Sequence, residues 1–215
     1  LQHDRQLKVI AANLEKKIAN GEVDFAVVLS DRYNADLVEH EFLREEVYLC
    51  VPEVLLRQYY TPEEIQGIKE RSIQGADLRD FARLPFSLMT NRLGGRIREQ
   101  FRQVGVEPWA FFTGPSTAQT LPLCASGTAA CFSTNLSLVE QLEQMGEQVN
   151  IFPLMDRGEP MVQRLSLLRH RQRYLTHFAK YFMELLFDST AALDRIPVLR
   201  VAGGEGAVEK SVENV

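Results

Sequence analysis

Several functions are made hard to assign by what the sequence lacks. It carries only 3 cysteines and 4 histidines in 215 residues. The odd thiol count, with Cys50, Cys124 and Cys131 all in apolar surroundings, argues against a disulfide framework and for buried, reduced side chains in a cytosolic protein. His3, His40, His170 and His177 have no metal-ligand spacing to Cys, Asp or Glu, so they read as solvated or packed side chains. No metal and no cofactor is expected. There is no apolar run long enough to cross a bilayer and no signal peptide, which leaves a cytoplasmic protein with no membrane partner as the expectation. Basic residues are not in excess: the formal net charge is -5, which disfavours direct contact with DNA or RNA by this segment. A Gly-x-Ser-x-Gly elbow and a phosphate-loop lysine are both absent. The chain opens at Leu1 without an initiator methionine and reads as a fragment.

What is present is ordinary globular material, 45% hydrophobic and 25% charged, and long enough for one large domain or two small lobes. The organising stretch is Gly21 to Ser30. A helical segment ending at Asn20 meets Gly21, a residue that accepts positive φ at a helix C-terminus. Val23 to Leu29 is then almost wholly apolar and β-branched, without the alternation of a strand covered on one face, as suits a central strand buried on both sides. It stops at Ser30 and Asp31. Ligands of open α/β sheets sit beyond the carboxyl ends of strands, so these residues are either the start of a solvated loop or part of a binding site.

In chain order, Gln6 to Ala11 reads as a strand, Ala12 to Asn20 as a helix and Val23 to Leu29 as a strand. This βαβ unit implies a parallel pair. Asp36 to Val51 reads as a two-part strand or hairpin. Glu53 to Glu70 is helical around Thr61-Pro62, where Thr61, Pro62 and Glu64 form a capping box with an N1 proline. A short helix is expected at Asp77 to Ala82, and a strand at Leu84 to Met89. Thr90 to Gly95 is then a turn leading into a helix from Arg96 to Val104. Strands at Trp109 to Phe112 and Thr128 to Phe132 alternate with helices from Thr117 to Ala125 and from Thr134 or Asn135 to Gln144. Val149 to Leu154 and Val162 to Leu168 are strands. Tyr174 to Phe187 is an amphipathic helix with Leu175, Phe178, Phe182, Leu185 and Leu186 on its apolar side. The pattern then decays into a glycine-rich, charged end that reads as a flexible tail over 189–215. The plan is α/β: a first lobe from 1–51 and 160–188, a second from 52–159, and two connections that make a hinge.

Leu14 to Val27, with its Gly21-Glu22-Val23-Asp24-Phe25-Ala26-Val27, followed by Glu45 to Pro52, resembles the effector-binding domain of LysR-type transcriptional regulators. Asp77-Leu78 with Leu84-Pro85-Phe86, Ser116 to Phe132, and Leu165 to Arg169 with Leu175 to Leu186 extend the likeness over about Leu7 to Phe187. The resemblance implies a two-lobed, type 2 periplasmic-binding-protein-like fold, N-terminally incomplete here. It also implies a small organic effector, possibly anionic, bound between the lobes, a homodimer or homotetramer, and DNA contact only through a winged helix-turn-helix outside this chain. One departure stands out: the family's Gly-Leu-Gly is Gly127-Thr128-Ala129.

Under that plan, polar strand ends converge on one cleft. They are Ser30 and Asp31 from the first lobe, and Thr90, Asn91, Thr113, Ser116, Thr117, Ser133 and Thr134 from the second. Hydroxyls, amides and helix N-termini can hold a carboxylate without a fixed counter-charge, although the same residue types are common helix caps. Gly94-Gly95 before a helix could cradle an anion on free backbone N–H groups, with Arg92 and Arg96 adding charge; a plain flexible turn would look the same. No catalytic constellation emerges. A solute-binding protein would share the fold but should carry an export signal. An enzyme on the same scaffold would need an acid or base at the cleft, for which Asp31 is the one candidate.

Overall fold

The structure, a computed structural model, describes residues 9–10, 15–29, 35–191, 193 and 198–202. Ser30, Asp31, Leu14 and His3 lie outside the described residues. In chain order the elements are β1 (Val9–Ile10), α1 (Glu15–Ala19), β2 (Phe25–Leu29), β3 (Leu37–Pro52), α2 (Glu53–Tyr59) and α3 (Pro62–Ser72). A 3-10 turn (Leu78–Phe81) leads to β4 (Pro85–Met89), α4 (Arg92–Gln103), β5 (Trp109–Gly114), α5 (Thr117–Ala125), β6 (Ala130–Thr134) and α6 (Asn135–Met145). The chain closes with β7 (Val149–Pro153), β8 (Met155–Asp156), β9 (Glu159–Pro160), β10 (Val162–His170) and α7 (His177–Thr190). The chain divides into two compact units, one through Glu45 and again over Gln163–Arg195, the other over Glu46–Val162 and from Ile196 onward.

In the first unit β1 runs parallel to β2, and β2 pairs antiparallel with β10, which neighbours β3. Gly21 follows α1 with φ +75°, the left-handed turn expected there. Phe25 and Ala26 are fully buried, whereas Val27 to Leu29 are only half-covered, so the double-sided burial read from the run holds for its first part. Helix α7 is capped by the Thr176 hydroxyl, which accepts from the Ala179 amide at 3.2 Å. It starts three residues later than Tyr174, the residue the pattern suggested. Phe182 and Leu186 face the core around Phe25 and Leu167. Phe178 and Leu185 are more than half or about half exposed, so the apolar side of this helix is broader than the face it buries.

The second unit is built on a sheet with order β7-β3-β6-β4-β5. Strands β5, β4 and β6 are mutually parallel, and β3 is antiparallel to β6 and β7. Both faces are covered. Val47, Leu49 and Val51 point into a core with Phe86, Phe101 and Phe132, whose rings lie 5.0–6.0 Å apart. Tyr48 and Cys50 point to the opposite side, against Leu121, Cys124, Cys131 and Leu138. This double burial removes the alternation from Val47 to Val51. In the first half of β3, Glu39, Glu41 and Arg44 are exposed and Leu37 and Leu43 buried. The whole is one 16-residue strand, not a hairpin, and it passes from one unit to the other between Glu45 and Glu46.

The three thiols are free and fully buried. The Cys131 neighbour and burial push the Cys50 thiol up, and burial pushes up Cys124. The Thr61-Glu64 capping box is present in full. Past α7, Val198 and Ala202 are buried in the second unit. Arg200 and Ile151 exchange backbone hydrogen bonds of 3.1 and 2.8 Å. Val198–Ala202 is therefore not part of a tail: Arg200 forms an isolated bridge to Ile151 of β7, Val198 packs on one core of the second unit, and Leu199 and Val201 pack on the other.

Candidate functional site

Because β5, β4 and β6 are parallel, their carboxyl ends lie at one edge of the sheet. Met89 is level with Gly114 in the β4–β5 register. Ser87 is level with Cys131, which puts Ser133 level with Met89 one pleat further on. A helix starts immediately beyond each strand: α4 at Arg92, α5 at Thr117 and α6 at Asn135. Each of these N-termini directs unsatisfied backbone N–H groups and the positive end of a peptide dipole toward the edge. The edge is thus the natural place in this unit for an anionic or hydrogen-bond-accepting ligand.

The second-unit residues singled out from sequence all fall on this edge, but in different roles. Asn91 is a cap: its Oδ1 accepts from the Gly94 amide at 3.0 Å. That fixes the start of α4 at Arg92, four residues before the expected one, and places Gly94 and Gly95 inside its first turn. The loop cradle that these glycines could have offered is therefore not formed, and neither is a plain flexible turn. Gly94 is small for packing, since a Cβ there would overlap the Met89 carbonyl oxygen. Arg96 is committed to the Val162 carbonyl at 2.6 Å and to Asp156. Arg98 is committed to the Met89 carbonyl at 2.7 Å. Thr90 is tied to Gly114 through its amide at 2.8 Å.

The remaining hydroxyls are less committed. Ser116 is the N-cap of α5 yet makes no capping hydrogen bond. Thr113 is exposed at the end of β5, and Thr117 is half-buried in the first turn of α5. Ser133 is fully buried, and its Oγ has no hydrogen-bond partner among the described residues. Thr134 is buried and donates to the Ser137 hydroxyl at 3.3 Å. Two contacts carried no signal in the sequence, where Asn135 reads only as a helix cap. Gln119 lies over Gly114 so closely that a Cβ on the glycine would meet its Oε1. Asn135, almost fully buried, accepts the Glu46 amide on its Oδ1 at 3.1 Å. Both partners are distant in sequence or backbone-based, so neither spacing nor residue type reveals them.

Other features stand apart from this edge. A groove of about 420 Å³ beside Asp77, Gln100 and Arg157 shares no residue with it. Among the described residues no cluster of His, Cys, Asp and Glu is placed to hold a metal ion. The histidines serve local contacts: His40 accepts from Arg169 at 3.2 Å, and His170 from the Gln172 amide at 3.2 Å. No helix among the described residues is long and apolar enough to cross a membrane.

Two units joined by long strands, with helix N-termini gathered at a parallel strand edge, define a two-lobed domain of the periplasmic-binding-protein-like type. Residues 6–191 match the family model for the LysR substrate binding domain, and the chain belongs to that family. The resemblance read from Leu14 to Val27 and Glu45 to Pro52 is borne out. Similar solved structures agree in fold. The regulatory domain of HypT from Salmonella typhimurium, in its apo form, aligns with a TM-score of 0.61 at 11% identity over 89% of this chain and 98% of that one. The effector binding domain of QuiR in complex with shikimate aligns at 0.58 and 13% identity, over 84% and 79%. The BenM effector binding domain with its effector benzoate aligns at 0.58 and 13% identity, over 85% and 76%. Against full-length CbnR complexed with its target DNA the chain spans about half the partner's length, covering 56% of it. A comparison with curated proteins finds no match.

Proposed function

We propose that this chain is the small-molecule sensing part of a LysR-type transcriptional regulator, acting in the cytoplasm as a homodimer or homotetramer and not as an enzyme. The observation that carries the reading is the polar edge of β5, β4 and β6, where Ser116 makes no side-chain capping bond and the Ser133 Oγ has no hydrogen-bond partner among the described residues. A buried hydroxyl without a partner costs free energy that a ligand can recover. The nearby arginines Arg96 and Arg98 are spent on carbonyls. Charge at the site therefore comes from helix N-termini, which suits a small carboxylate. Shikimate and benzoate, bound by two of the similar domains, are small carboxylates.

In this reading Thr90, Asn91, Thr113, Ser116, Thr117, Ser133 and Thr134 serve the effector, together with Ser30 and Asp31, the residues that the sequence singles out in the first unit. Binding shifts the balance between open and closed arrangements by its differential affinity for them. The shift reaches DNA through a separate DNA-binding module. Calorimetry against a panel of small carboxylates, benzoate and shikimate included, tests the reading. The expected result is saturable binding by at least one of them, weakened about tenfold or more by Ser133→Ala or Thr117→Val. Absence of binding across the panel at millimolar concentration would count against it.

A further inference from the structure

We infer that Val198–Ala202 is a strap whose seating on the second unit is coupled to the strand-edge site through Asn135, Glu46 and Tyr48. The strap is held by more than apolar contact. Val198 is buried beside Tyr48 and Ile151. The Arg200 backbone pairs with Ile151, and its guanidinium donates to the Gly146 carbonyl at 2.6 Å. The Ala202 amide donates to Asn150 Oδ1 at 2.8 Å, and Lys69 Nζ donates to the Ala202 carbonyl at 2.6 Å. Lys69 also pairs with the buried carboxylate of Glu53 at 2.7 Å, and Asn150 donates to the same carboxylate at 3.0 Å. Five residues of chain are thus fastened to a preorganised buried polar group.

The coupling is a run of hydrogen bonds within the second unit. Asn135 Oδ1 accepts the Glu46 amide at 3.1 Å. Glu46 Oε2 accepts the Tyr48 hydroxyl at 2.6 Å. The Tyr48 oxygen in turn accepts the Val198 amide at 3.2 Å. One end of this relay is the first residue of α6, next to Ser133 and Thr134. Ser133 is also the cross-strand partner of Tyr48. The other end is the first described residue of the strap. Glu46 sits where β3 leaves the first unit. A ligand that orders the start of α6 therefore strengthens strap seating, and by reciprocity a seated strap strengthens ligand binding. The site end of this inference rests on the proposed function; the relay itself does not.

Amide hydrogen exchange on the full chain tests it. Without ligand, Tyr48→Phe removes the shared hydroxyl. The result expected is exchange about fivefold faster both in Val198–Ala202 and at Glu46 and the start of α6, with β4 and β5 unchanged. Glu46→Leu reproduces this, whereas Glu46→Gln, which keeps an acceptor for Tyr48, stays within about twofold of the parent. Acceleration confined to one end of the relay overturns the proposal, and if Tyr48→Phe does not fold the two Glu46 variants decide it. With benzoate as the probe, saturation slows exchange in Val198–Ala202 in the parent and not in Glu46→Leu; binding without that protection also overturns it. Failure of benzoate and the other carboxylates to bind counts against the sensing reading, and the ligand-free comparison still decides the relay.

Discussion

The carbonyl oxygen of Met89 occupies the space that a Cβ on Gly94 would need. The last residue of β4 and the first turn of α4 are packed backbone to backbone, and this contact sets how close the N-terminus of α4 comes to the strand edge. Gly94→Ala is expected to destabilise the protein by about 2–3 kcal/mol, because the obstacle is backbone and cannot swing away. Gly95 has open space around it, so Gly95→Ala should stabilise by about 0.5–1 kcal/mol through helix propensity. Thermal melts of the two variants check the contrast; equal effects would contradict the close approach.

Asn91 and Ser116 occupy equivalent N-cap positions but differ in use. The Asn91 side chain satisfies an amide of α4, and Ser116 satisfies none in α5. Asn91→Ala should cost about 1 kcal/mol of stability in urea titrations, and Ser116→Ala close to nothing. If Ser116→Ala proved as costly as Asn91→Ala, the serine would be an ordinary cap and not a spare hydroxyl.

Glu53 is buried and joined to Lys69, Asn150 and Arg57. Burial by itself raises its carboxyl pKa, but hydrogen bonds from Asn150 and Lys69, with the Lys69 charge, outweigh it and hold the carboxyl below its usual value. A depressed folded pKa contributes stability that is fully present above the unfolded value of roughly 4.3 and is lost as pH falls through the folded one. Lys69→Met strands the buried carboxylate and should cost about 3 kcal/mol at pH 7. The Glu53→Gln, Lys69→Met double variant should recover part of that loss. Urea midpoints from pH 7 to pH 3 would show it, with the acid limb near pH 4 shallower in both variants.

His40 is held neutral, mainly by burial and further by the Arg169 charge, so its pKa lies below the ordinary value. The unfolded chain takes up the proton first, and stability should decline as pH drops below about 6.5. His40→Gln should flatten the stability profile between pH 7 and pH 5, followed by thermal melts. An unchanged slope would mean that the Arg169 contact opens at no cost.

Much of the second unit can be read from local signals. Thr61-Pro62-x-Glu64 encodes its helix start in side chains that meet within one turn. Residues 85–89 and 130–134 announce buried parallel strands by their apolar runs. The start of α4 at Arg92 is not legible in the sequence, because an asparagine before Arg-Leu-Gly-Gly serves a loop or a cap equally well; the close packing of Gly94 on Met89 is a tertiary contact. Val198–Ala202 looked like a tail because five residues beside a glycine-rich end show no periodicity long enough to count. The apolar stripe from Tyr174 to Phe187 does not say how much of it is covered: Phe178 and Leu185 remain about half exposed or more.

Sequence alone determined the family, the α/β alternation and the polar character of the strand ends. These follow from propensity, periodicity and local capping, which act over a few residues. Tertiary structure decided which of those polar groups are spent and which are free. Asn91 caps a helix, the Ser133 Oγ has no hydrogen-bond partner among the described residues, and Asn135, Glu46, Tyr48 and Val198 come together across as many as 150 positions in sequence. No local rule reaches that far, because the free energy of a buried hydrogen bond depends on partners that only the folded chain supplies.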